Sequence, residues 1–171
     1  MFNDRPDDAR CLPPEAFPVV EAIVASTVTV FEELCQTAVS PGEPCPSRRT
    51  PGPDEITAHI TLRRAIPGWL SLAFPRPVLA VLAGRYLPGE AITAEIADDV
   101  AGEFANVIAG QAKTTLKGTP YHFHLSTPRV GPHVYDSDSE SIAMPFKSDA
   151  GVFVIRVQLP ACDEMLAPSE Y

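Results

Sequence analysis

The chain lacks several patterns that would assign it a chemistry at once. Its four cysteines, Cys11, Cys35, Cys45 and Cys162, form no C-x-x-C pair. That spacing excludes a zinc ribbon and a thioredoxin-type redox motif, and an unpatterned set points to reduced thiols in a cytosol. Positive charge is scarce: 13 Lys and Arg stand against 22 Asp and Glu, leaving a net charge of -9. Recognition of a phosphate backbone requires a basic surface, so nucleic acid and anionic membranes are poor candidates for a partner. No long apolar run occurs either. The most apolar window, from Ala65 to Gly84, is interrupted by Pro67, Pro75, Arg76 and Pro77, which does not read as a membrane span. The acidic start MFNDRPDDARCLPP has no basic residues followed by an apolar stretch, so a secretory signal is not expected and the expected location is cytoplasmic. Neither a G-x-S-x-G elbow nor a phosphate-cradling glycine loop is present.

What is there is an ordinary globular composition, 45% apolar and 20% charged over 171 residues. A chain of this size buries roughly 70% of its unfolded surface around one core. The expected organisation is a flexible arm over residues 1–16, a single domain over 17–160 and a tail over 161–171.

From Val20 to Cys35, apolar residues recur at three- and four-residue steps, predicting a helix. Its β-branched run Val28-Thr29-Val30 requires tertiary packing to stay helical. Ser40 to Pro53 carries five prolines and reads as an exposed loop. Ile56, Ala58, Ile60 and Leu62 alternate with polar residues, Pro67-Gly68 supplies a turn, and Trp69 to Phe74 is apolar, which predicts a hairpin. A short helix is expected from Pro75 to Tyr86. The longest helix runs from Thr93 to Lys117, a stretch free of proline with carboxylates early and lysines late, and Gly118 closes it. Runs at Tyr121–Leu125, Val130–Val134, Ile142–Phe146 and Val152–Leu159 read as antiparallel strands. The fold class is therefore α+β, and helix, hairpin and helix followed by helix and strands hints at an old duplication.

On the third helix, at about 100° per residue, Asp99, Glu103, Asn106 and Gly110 fall within an arc of roughly 60°. The apolar arc of Ile96, Ala97, Val100, Phe104, Val107 and Ile108 lies beside it. Burial therefore gives no reason for Glu103 and Asn106. Gly102 and Gly110 each cost the helix about 1 kcal/mol against alanine, a cost tolerated where another backbone or a partner comes close. An E-x-x-N alone also describes many solvated helix surfaces.

Other constellations are weaker. His122 and His124 share a face of a predicted strand, but no third ligand accompanies them, and His59 and His133 add none, so no metal site is expected. The run Asp136, Asp138 and Glu140 lacks the glycine and distal glutamate of a calcium loop and reads as a solvated turn.

The segment DDVAGEFANVIAGQAKTTL resembles the D-x-x-x-E-x-x-N-x-x-x-G helix of the CheX/CheC family of bacterial chemotaxis phosphatases. FPVVEAIVASTVTVFEELC resembles the family's first helix, and STPRVGPH with MPFKSDAGVFVIRVQL its closing strands, so the likeness runs from about Phe17 to Leu159. A single E-x-x-N places the chain nearer CheX than CheC, whose members typically carry two. The resemblance implies a CheC-like fold, an antiparallel sheet packed with long helices, and hydrolysis of the aspartyl-phosphate on a CheY-like receiver domain. It implies Glu103 and Asn106 as catalytic residues, with Asp99 and Gly110 on the partner-binding face. It also implies a homodimer and no cofactor of the chain's own, Mg2+ being held by the receiver. A non-catalytic adaptor of the same fold, binding a receiver or another signalling partner, is the alternative. The long proline-rich segment, Arg63-Arg64 and the Trp69 hairpin depart from the family pattern.

Overall fold

The structure, a computed structural model, describes residues 16–48, 51–64, 68–131 and 140–159. The expected tail and all but the last residue of the expected arm lie outside these residues, as do Cys11, Cys162, Pro67, His133, Asp136 and Asp138.

The first helix, α1 (Phe17–Cys35), buries Val19, Val20, Ile23, Val30 and Phe31, following the apolar steps of its sequence. The hydroxyls of Ser26 and Thr27 donate to the carbonyls of Ala22 and Ile23 at 2.6 and 2.7 Å, so two buried polar groups are satisfied without leaving the helix. Two short strands follow, β1 (Ser40–Pro41) and β2 (Cys45–Ser47), then the hairpin β3 (Glu55–Arg63) and β4 (Gly68–Pro75). Gly68 is required where the hairpin lies against Gln158, because a Cβ there would collide with the Gln158 carbonyl. After α2 (Arg76–Tyr86) and α3 (Ala94–Thr115) come β5 (His124–Leu125), β6 (Arg129–Val130), β7 (Ser141–Ser148) and β8 (Gly151–Gln158).

Every described strand pairing is antiparallel, in the order β1-β7-β8-β4-β3-β5, with β2 also on β7 and β6 also on β3. Alternation along the strands sends Ile56, Ala58, Ile60, Leu62, Leu72, Phe74, Phe153 and Ile155 into one core with the helices. Phe31 of α1 lies 4.9 Å from both Phe104 of α3 and Phe153 of β8, measured between ring centroids, so aromatic contacts tie the helices to the sheet. That packing fixes α3 as a rigid rod.

Two sequence expectations need correction. Ser40–Pro53 is not wholly loop, since β1 and β2 pair with β7. Prolines are tolerated because this is a sheet edge. The Gly42 N–H donates to the Pro145 carbonyl at 2.7 Å, so the backbone of its neighbour Pro41 turns away from β7. Pro46 lies opposite Ile142, which shares the parity of Phe146, and also turns outward. No ladder bond is lost at either proline. The second correction concerns the short runs after α3: only His124–Leu125 of Tyr121–Leu125 is strand, and the later run pairs through Arg129–Val130, residues 132–134 lying outside the described residues.

Candidate functional site

Helix α3 is built to present one face outward. Thr93 caps it, its Oγ1 accepting the Ile96 N–H at 3.2 Å, and such a cap contributes about 1 kcal/mol. Val100, Ala101, Phe104, Ala105, Ile108, Ala109 and Ala112 are buried against α1 and the sheet. On the opposite side Asp99, Glu103 and Asn106 are exposed, and Gly110 is half-exposed. No hydrogen bond or ion pair with a described residue engages the side chains of Asp99, Glu103 or Asn106. Glu103 and Asn106, three residues apart, therefore stand about 4.5 Å apart along the axis with all their donors and acceptors turned to solvent.

The two helical glycines differ. A Cβ on Gly102 would sit 3.2 Å from Val130 Cγ2 and 3.8 Å from Pro128 Cβ, so this glycine lets the β6 segment lie against the helix beside the exposed stripe. Around Gly110 nothing approaches within 4 Å of such a Cβ. No contact within the described residues accounts for it.

Two further residues belong to the same side of α3. Glu95 is exposed one turn before Asp99, and Lys113 is half-exposed one turn beyond Gly110. Their positions near the helix ends read in the sequence as dipole partners, which hid their place in the stripe. The four-residue steps Glu95, Asp99, Glu103 were the available signal.

Elsewhere the chemistry is structural. Arg85 of α2 donates to both Asp149 oxygens, at 2.8 and 3.1 Å, and to Thr37 Oγ1 at 2.8 Å, clasping the β7–β8 turn to the end of α1. Those hydrogen bonds hold the Asp149 carboxyl below its ordinary range. A cavity of about 460 Å³ opens beside the clasp, lined by Gln36, Thr37, Ala38, Ser40, Lys147, Ser148 and Asp149. None of the stripe residues lines it. Burial pushes the Cys35 thiol up to about 11. The His122 and His124 rings stand edge to face at 5.4 Å, and among the described residues no three His, Cys, Asp or Glu side chains gather as a metal site. No described helix is long and apolar enough to cross a membrane.

An outward carboxylate and amide on a rigid helix, outside the cavity beside the clasp, suit contact with another protein's pocket better than capture of a small molecule. The family model of the chemotaxis phosphatase CheX matches residues 56–155, more than half of the chain and all of α3. A chemotaxis protein CheX from Desulfovibrio desulfuricans is 23% identical and superposes with a TM-score of 0.72, over 83% of this chain and 99% of that one. A CheC-like superfamily protein from Shewanella sp. PV-4 is 24% identical, with a TM-score of 0.72 over 82% and 96%. The CheX–CheY–BeF3–Mg2+ complex from Borrelia burgdorferi contains a chain that is 15% identical, with a TM-score of 0.69 over 84% and 98%. At these identities the neighbours show the CheC-like fold. None of the curated proteins compared is significantly similar to the chain. With a family model that runs from β3 into β8 and takes in the whole stripe helix, the chain belongs to the CheX family of chemotaxis phosphatases.

Proposed function

We propose that this protein accelerates hydrolysis of the aspartyl-phosphate on a CheY-like receiver domain, with Asn106 and Glu103 of α3 as its catalytic pair. The observation that carries the reading is the exposure of both side chains on one face of a helix whose other face is locked into the core. The complex of a structurally similar CheX with CheY, BeF3 and Mg2+ supports a receiver as the partner.

An acyl phosphate already has a good leaving group, so its hydrolysis is limited by placing a water in line with phosphorus and by stabilising the spreading charge. Strong acid–base power is not needed. The Asn106 amide is no effective base, but its oxygen and NH2 can hold a water by hydrogen bonds in the direction of attack. Glu103, one turn earlier, accepts a charge-assisted bond from the receiver's lysine and fixes α3 across the pocket mouth. Asp99 and Gly110 complete the partner-facing stripe. On this reading Mg2+ is bound by the receiver, supplying charge neutralisation at the phosphoryl group, and this chain brings no metal of its own.

The reading places the protein in the cytoplasm with its receiver. It also includes a homodimer, and one that does not extend the sheet from β1 and β2: Pro41 and Pro46 offer no outward N–H there. Sedimentation at micromolar concentration measures the dimer.

The functional test is phosphate release from candidate receivers charged with acetyl phosphate. A phosphatase speeds the decay of at least one. An adaptor of the same fold binds and leaves the decay unchanged.

A further inference from the structure

Glu95, Asp99 and Glu103 follow one another at four-residue steps on α3, and all three are exposed. Like charges at that spacing repel, and no described cation pairs with any of them. The helix dipole accounts for Glu95 in the first turn, but its influence fades within that turn, before Asp99 and Glu103. Toward the other end the same side carries Asn106, the open space around Gly110 and Lys113, which is likewise without a described ion-pair partner. The face is thus electrically polar along its length. Carboxylates fill its first half, an amide stands near the middle, and a lysine closes it.

We infer that this polarity selects the receiver and fixes its orientation: the partner carries a basic rim beside its phosphorylation pocket, on the side met by the first half of α3. The inference rests on the phosphatase reading above and adds a specificity element to it. With a rise of about 1.5 Å per residue, Asp99 lies about 10 Å and Glu95 about 16 Å from Asn106 along the axis. The complementary lysines or arginines therefore lie about 10 to 16 Å from the phosphoryl group, beyond the lysine that Glu103 meets. Lys113 lies about 10 Å to the other side, over a surface that is neutral or acidic. Such long-range complementarity acts on encounter and register and leaves the chemical step alone.

The test uses the full-length protein and a phosphorylated receiver that the wild type dephosphorylates, comparing wild type with the Glu95→Lys/Asp99→Lys double variant. Expected is a KM raised at least about tenfold at low ionic strength, with kcat within about twofold of wild type. Wild-type KM should climb with salt, and that of the double variant should not. The 99–103 step becomes attractive while the 95–99 step stays repulsive and a lysine replaces the first-turn carboxylate, so the melting temperature should fall by no more than a few degrees and the variant stay folded at the assay temperature, which separates lost docking from lost folding. An unchanged KM and salt slope overturn the inference and leave the phosphatase reading standing. Failure of the wild type on every receiver, or full turnover by Asn106→Ala, removes the parent reading and this one with it.

Discussion

Gly102 lies so close to Val130 that a methyl group on the helix would come within 3.2 Å of the valine Cγ2. One side of α3 thereby leans on the β6 segment, and the next side, with Asn106, is left open. The two helical glycines should respond unequally to alanine. Gly110→Ala meets no obstacle, so it should stabilise the fold by up to about 1 kcal/mol, or about 2–4 °C in Tm. The added methyl faces the partner, and KM for the phosphorylated receiver should rise. Gly102→Ala must displace Val130 and should gain less stability, or lose some. Thermal melts of both variants, with kinetics of the first, check the pair.

Glu103 has no partner among the described residues to lose, so its removal should spare stability. Loss of a charge-assisted bond to a lysine costs about 1.5–3 kcal/mol, which is about ten- to hundredfold in kcat/KM. Glu103→Ala should therefore weaken both receiver binding and turnover, with Tm within a degree or two of wild type. Calorimetric binding and phosphate release measure the two arms.

Phe104 anchors α3 from the other side. It is fully buried and touches Phe31, Phe74 and Tyr86 at centroid distances of 4.9, 6.2 and 5.6 Å. Phe104→Ala should cost about 3–5 kcal/mol in urea unfolding and lower activity through loss of the rigid helix. This variant and Glu103→Ala thus separate scaffold from site: one loses stability first, the other function alone.

The Arg85–Asp149 clasp makes a pH-dependent contribution whose sign is fixed. Hydrogen bonds from Arg85 lower the Asp149 carboxyl in the folded state, so the unfolded chain binds more protons as pH falls below the usual carboxylate range. The stabilisation is present above the unfolded pKa and is lost as pH drops through the folded one. Asp149→Asn should be less stable than wild type at neutral pH, with the difference closing toward acid. Denaturation curves across acid pH show the convergence.

Cys35 gives the alkaline counterpart. Its thiol is raised from 9.0 to about 11 chiefly by burial, so it favours the fold below pH 9 and that advantage fades as pH rises toward 11. At neutral pH it should resist alkylation while the exposed Cys45 reacts. Peptide mass spectrometry after brief iodoacetamide treatment distinguishes the two.

The elements most readable in the sequence were those with strong local patterns. Alternation from Ile56 to Leu62 marked β3, and a long stretch without proline, acidic early and basic late, marked α3. The edge formed by β1 and β2 was not readable, because Pro41, Pro44 and Pro46 argue for loop locally. Only pairing with Phe146 and Ile142, about a hundred residues later, makes Pro41 and Pro46 strand. Likewise, the pairing of Arg129 with His59 depends on where α3 delivers the chain. Glu103 and Asn106 stood out because they share a stripe that burial does not need. Glu95 and Lys113 did not, since a charge near a helix end already has an explanation in the dipole.

The most direct measurement is single-turnover decay of a responsive phosphorylated receiver with Asn106→Ala beside wild type, with binding measured in parallel. If Asn106 orients the attacking water, the acceleration should fall by at least about a hundredfold while the affinity holds. Wild-type decay rates with the alanine variant would contradict the account at its centre.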